Sequence, residues 1–143
     1  MLKNIPKNLS PELVKTLMEM GHGDELVIAD GNFPAHRLGQ RVIRLDGQGG
    51  VDVLRSILEL FPLDIEYSDQ QVFLMEVANG DSYDPVIWKA YENVLKETQE
   101  GAYTIGYIER FAFYERAKDA FCVIETSEEA LYANIILKKG VVR

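Results

Sequence analysis

Gly21-His22-Gly23-Asp24-Glu25-Leu26-Val27-Ile28-Ala29-Asp30-Gly31-Asn32 is the stretch that decides the fold. Leu26–Ala29 is an unbroken apolar run without the polar alternation of a half-exposed strand, so it predicts a strand buried on both faces. Such a strand needs helices on both sides of its sheet. Upstream, Ser10 can cap a helix, Pro11 suits its first position, and Leu13, Val14, Leu17 and Met18 predict one apolar stripe before Gly21 ends it. Downstream, Asp30-Gly31-Asn32 reads as a turn.

The pattern repeats along the chain. Strands are predicted over 41–45, 72–77, 103–110, 122–125 and 134–137. Helices are predicted over 51–61, from Pro85 through Ile87, Trp88, Tyr91, Val94 and Leu95, over 111–120, and as a short turn over 127–131. The alternation predicts a three-layer α/β/α sandwich with a mixed central sheet, in one compact domain spanning residues 1–143. The close spacing of the first two strands leaves antiparallel pairing between them open.

Composition removes several functions. With 15 Lys and Arg against 23 Asp and Glu, the net charge of -8 repels phosphate backbones and anionic lipid, so nucleic acid and membrane are poor partners. No apolar run approaches the ~20 residues of a membrane span, and the N-terminus lacks a secretion signal's apolar segment; a cytoplasmic protein is expected. The lone Cys122, in an apolar run, reads as core. Two histidines and no zinc spacing leave no metal site predicted, and no cofactor motif is present: Gly47-Gln48-Gly49-Gly50 matches neither phosphate-binding spacing and reads as a turn.

The candidate chemistry lies in four places. His22, between two glycines, sits on a loop where an imidazole with an unperturbed pKa near ~6.5 can exchange protons, or else completes a helix C-cap. Asp30 follows a strand's carboxyl end, where α/β proteins gather binding groups, or simply closes an Asx turn with Asn32. His36 is the rival histidine. Arg110-Phe111-Ala112-Phe113-Tyr114-Glu115-Arg116 brings cations, a carboxylate and three rings together, as sugar sites do and as a salt-bridged core helix also does.

Four separated segments, in order, resemble the L-fucose mutarotase and D-ribose pyranase family: Glu19-Met20-Gly21-His22-Gly23-Asp24-Glu25; Ala29-Asp30 with Phe33-Pro34-Ala35-His36; Arg110 through Ala117; and Tyr132-Ala133-Asn134-Ile135-Ile136-Leu137-Lys138-Lys139-Gly140. The third resembles the fucose branch. The resemblance implies a cofactor-independent isomerase that exchanges the α and β anomers of L-fucose, with His22 as acid/base and with Asp30, Arg110, Tyr132, Ala133 and Asn134 binding substrate. It also implies a ring-like homo-oligomer, a decamer. Ala133 departs from the fucose-branch pattern, which has glycine there; the methyl matters only if that backbone angle is unusual.

Two other functions fit the same residues: a pyranase converting ribose pyranose to furanose, and a non-catalytic monosaccharide-binding protein of sugar uptake, which would not need His22. Geometry adds a constraint. At ~3.3 Å per residue, an extended chain from 22 to 30 spans ~25 Å, too far for one sugar pocket. Either the glycine-flanked loop curls back, or two subunits share a site.

Overall fold

The computed structural model describes residues 1–99 and 102–143. Within them the chain forms α1 (Pro11–Glu19), β1 (Glu25–Ala29), α2 (Ala35–Leu38), β2 (Val42–Leu45), α3 (Gly50–Leu58), β3 (Val72–Met75), α4 (Ile87–Gln99), β4 (Ile105–Ile108), α5 (Arg110–Asp119), β5 (Cys122–Thr126) and β6 (Ile135–Lys138). The strands make one sheet in the order β2-β5-β1-β6-β3-β4. β6 runs antiparallel to β1 and β3, whereas β1 with β5, β2 with β5, and β3 with β4 are parallel.

Alternate residues of each central strand feed two cores. Leu26 and Ile28 face α1, α3 and α4, where Leu13, Leu54, Ile57 and Val94 pack. Val27 and Ala29 face α2 and α5, with Phe33, Leu38, Phe113 and Ala117. The three-layer arrangement with a mixed sheet is therefore the one the apolar run requires. Among the described residues no helix is long and apolar enough to cross a membrane.

Several local expectations are corrected. β1 and β2 do not pair, because β5 lies between them and is parallel to both. Segment 127–131 is not helical. Its polar groups are engaged elsewhere: Ser127 N–H donates to the Gln48 carbonyl, Ser127 Oγ accepts from Gly47 N–H, and the two Glu128 carboxylate oxygens accept from Gly50 and Ala130 N–H. Arg110 is the first residue of α5 rather than the last of a strand, because the Glu109 carboxylate caps the Phe111 and Ala112 amides and starts the helix there. Met18 is 82% exposed: five positions from Leu13, it has rotated off the stripe that Leu13 and Leu17 bury.

α5 is tied to the sheet at its far end. Arg116 donates to both Glu25 oxygens at 2.8–3.1 Å, and its guanidinium lies 3.7 Å above the Phe73 ring. This pair is bidentate, partly sheltered and stacked, the geometry in which an arginine cannot be exchanged for lysine. Cys122 is buried, and desolvation pushes its thiol up to about 12, which leaves it a small apolar side chain.

Candidate active site

The direction of β6 assembles the site. Asp30 follows the carboxyl end of β1 and Arg110 follows that of β4, while Tyr132 and Asn134 precede the amino end of β6. Because β6 is antiparallel to β1 and β3, its start lies on the rim where the parallel strands end. Asp30, Arg110, Tyr132 and Asn134 consequently line one open cleft of about 280 Å³, together with Asn32, Phe33, Met75, Ala78, Asp81, Tyr114 and Leu131. This is the edge at which α/β sheets bind ligands.

Asp30 is 5% exposed. Its amide donates to Asn134 Oδ1 at 2.8 Å and its Oδ1 accepts from Asn32 N–H at 2.9 Å, so the Asx turn and the binding position coexist. Burial pushes its carboxyl above the ordinary carboxylate value, against the backbone hydrogen bonds from Asn32 and Phe33. Arg110 Nε donates to Tyr114 Oη at 3.2 Å, and its guanidinium lies 5.4 Å from the Phe111 and Tyr114 ring centres.

Tyr132 is in the left-handed region, with φ 57°, a costly place for an aromatic residue. It is held there from both ends: Trp88 Nε1 donates to its carbonyl at 2.8 Å, and its hydroxyl donates to Asp81 Oδ2 at 2.7 Å while accepting from Ala78 N–H. The hydrogen bond to Asp81 raises the hydroxyl's pKa and lowers that of the Asp81 carboxyl. Ala133 lies behind the cleft wall, 1% exposed, and its carbonyl accepts from Tyr91 Oη at 2.7 Å. Its φ is not positive, so the position makes no demand for glycine; the strain falls one residue earlier, on Tyr132.

His22 is elsewhere. It precedes β1, on the opposite rim, where its Nε2 lies 2.9 Å from Asp64 Oδ1. Burial raises the Asp64 carboxyl, but hydrogen bonds from Ser68 and His22 and the charge of Lys138 outweigh it and hold the carboxyl below its usual value. The loop does not curl back to Asp30. His36 pairs with Glu125 on the surface, outside the cleft. Tyr114 lines the cleft as one ring of the Arg110–Arg116 run, whereas Asp81 and Asp64 were not singled out in the sequence; of these two, Asp81 could have been found by the rule that found Asp30, since it follows the carboxyl end of β3. Among the described residues, no three His, Cys, Asp or Glu side chains converge as a metal site would.

Fold and cleft together define an α/β protein whose carboxyl-end rim presents a carboxylate, a guanidinium, a phenol and a carboxamide to a small polar ligand. Residues 3–142 match the model of the RbsD / FucU transport protein family, and the chain belongs to that family. An L-fucose mutarotase of Actinobacillus pleuropneumoniae serotype 5b (strain L20) is 46% identical over 99% of this chain and 97% of its own. The crystal structure of FucU from Bifidobacterium longum superposes with a TM-score of 0.94 at 56% identity, covering 99% of this chain and 100% of that one. That of the fucose mutarotase from Streptococcus pneumoniae in complex with L-fucose does so with a TM-score of 0.89 at 50% identity, with the same coverage.

Proposed function

We propose that the chain is an isomerase that interconverts the α and β anomers of L-fucose by opening and reclosing the pyranose ring. The observation that carries the reading is the convergence of Asp30, Arg110, Tyr132 and Asn134 on one monosaccharide-sized cleft, in a chain half identical to a mutarotase that binds L-fucose. Ring opening breaks the C1–O5 bond: O5 gains a proton, the anomeric hydroxyl loses one to a cleft carboxylate, and the open-chain aldehyde rotates before both transfers reverse. No electrons move, so acid and base groups suffice. Asp30 and Arg110 hold sugar hydroxyls, Tyr132 and Asn134 fix the reacting end, and His22 donates to O5.

Since His22 and the cleft occupy opposite rims, the donor belongs to a neighbouring copy, and the working unit is a ring-like homo-oligomer acting in the cytoplasm. A binding-only reading draws on the same separation, because among the described residues no imidazole lines the cleft of a single chain. Saturation-transfer NMR on the anomeric protons of L-fucose, repeated with D-ribose, tests the function. Accelerated exchange for fucose is the expected result; acceleration for ribose alone favours the pyranase, and none for either favours binding only. His22→Ala should abolish exchange while leaving fucose binding within a few-fold.

A further inference from the structure

His22 is gripped by one nitrogen. Its Nε2 meets Asp64 Oδ1 at 2.9 Å, the Asp64 side chain is 2% exposed against 43% for the imidazole, and among the described residues Nδ1 has no hydrogen-bond partner. The carboxylate is itself fixed. Ser68 Oγ donates to its other oxygen, and its amide donates to the Lys138 carbonyl at 3.1 Å. Gly140 packs so closely that a Cβ there would lie 2.4 Å from the Leu63 carbonyl oxygen and 2.8 Å from Asp64 Cα. The Tyr67 ring flanks the imidazole, with centroids 4.9 Å apart.

We infer that Asp64 is a positioning residue for His22, holding the imidazole with Nε2–H toward the carboxylate and leaving Nδ1 as the nitrogen that exchanges a proton with the sugar. The inference rests on the reading of His22 as the proton donor. An ionised carboxylate only accepts, so Nε2 must carry a hydrogen and the neutral ring presents a bare Nδ1. Once protonated there, the ring donates from Nδ1 to O5 as the C1–O5 bond breaks, and recovers the same proton on reclosure. Asp64 keeps its charge throughout and steadies the transient imidazolium, as an orienting carboxylate does behind a catalytic histidine. The other groups facing this pair are Tyr67 against the ring, Ser68 and Lys138 against the carboxylate.

Nitrogen-15 NMR of the intact wild-type protein tests the tautomer directly: His22 is expected to carry its neutral-form proton on Nε2, and a proton on Nδ1 would overturn the inference. Kinetics test the role. Asp64→Asn should lower kcat for L-fucose exchange at least about tenfold with KM within about twofold, and the alkaline limb of the pH profile should move to lower pH, because the imidazolium has lost its anionic neighbour. Ser68→Ala, which keeps the carboxylate but frees its other oxygen, should lower kcat by less and leave the alkaline limb where it is in wild type, and guards against Asp64→Asn failing to fold. Wild-type kcat in folded Asp64→Asn, beside an inactive His22→Ala, would sink the role of Asp64 alone. Full exchange by His22→Ala would remove the catalytic reading of His22 and the inference with it.

Discussion

His22 and Asp30 flank the two ends of the same strand, β1, and the intervening residues, Leu26 through Ala29, are among the most deeply buried in the molecule. No rotation of either side chain brings them together. A site that uses both must draw them from two chains.

That relationship predicts complementation. His22→Ala and Asp30→Ala should each be inactive alone. Dissociated, mixed and reassociated, the two should recover a fraction of wild-type anomer exchange, because mixed contacts pair an intact imidazole with an intact cleft. Exchange spectroscopy on the mixture checks this, and no recovery would place the whole site within one chain.

Asp30 carries a cost in stability. Burial raises its carboxyl above the unfolded value of 3.8, so between those two values the folded state binds more protons and stability falls as pH rises. Asp30→Asn, which keeps an acceptor for Asn32 N–H, should melt higher than wild type at neutral pH, with the gap closing below pH 3.8, while fucose affinity drops. Calorimetric melts across pH would read it. Asp64 has the opposite sign: its lowered carboxyl favours folding above the ordinary carboxylate value and is lost as pH falls through its own.

Gly50 makes room for the Tyr91 hydroxyl, which a Cβ there would approach to 2.2 Å. Gly50→Ala should therefore displace Tyr91 from the Ala133 carbonyl and cost about 1–3 kcal/mol. Tyr91→Phe, which leaves that buried carbonyl unpaired, should cost about 1–3 kcal/mol as well. Double-mutant urea melts should show the two losses to be less than additive, since both break one contact.

Ala133→Gly should do little to catalysis. With an ordinary backbone angle at 133, the glycine seen in the fucose branch offers no release of strain, and kcat/KM for fucose should stay within about twofold. Stability should fall by about 0.5–1 kcal/mol through the looser unfolded chain, as a urea titration would record.

The sequence disclosed what local periodicity controls. β1 and β6 were legible as unbroken apolar runs of strand length, and α3 and α4 because their apolar residues recur at helical spacing. Strand order was not, since β5 enters between β1 and β2 from far along the chain. α2 was missed because four residues after Pro34 are too short to show a period, and the supposed helix at 127–131 lost its polar groups to the Gly47–Gly50 turn. Asp30 and Arg110 could be placed by the rule for strand ends. Asp64 could not, because its meeting with His22 is a tertiary contact 42 positions apart.

The clamp of Arg116 on Glu25 turns α5 into a measuring rod. From Arg116 to Arg110 the helix advances six residues, about 9 Å, so the anchored pair sets how far along the sheet Arg110 stands at the cleft. Inserting or deleting one residue between these arginines would swing the guanidinium by about 100° and slide it by about 1.5 Å. Length in this segment is thus under tighter restraint than residue identity, and indels should be purged from it while point changes on its outer face survive.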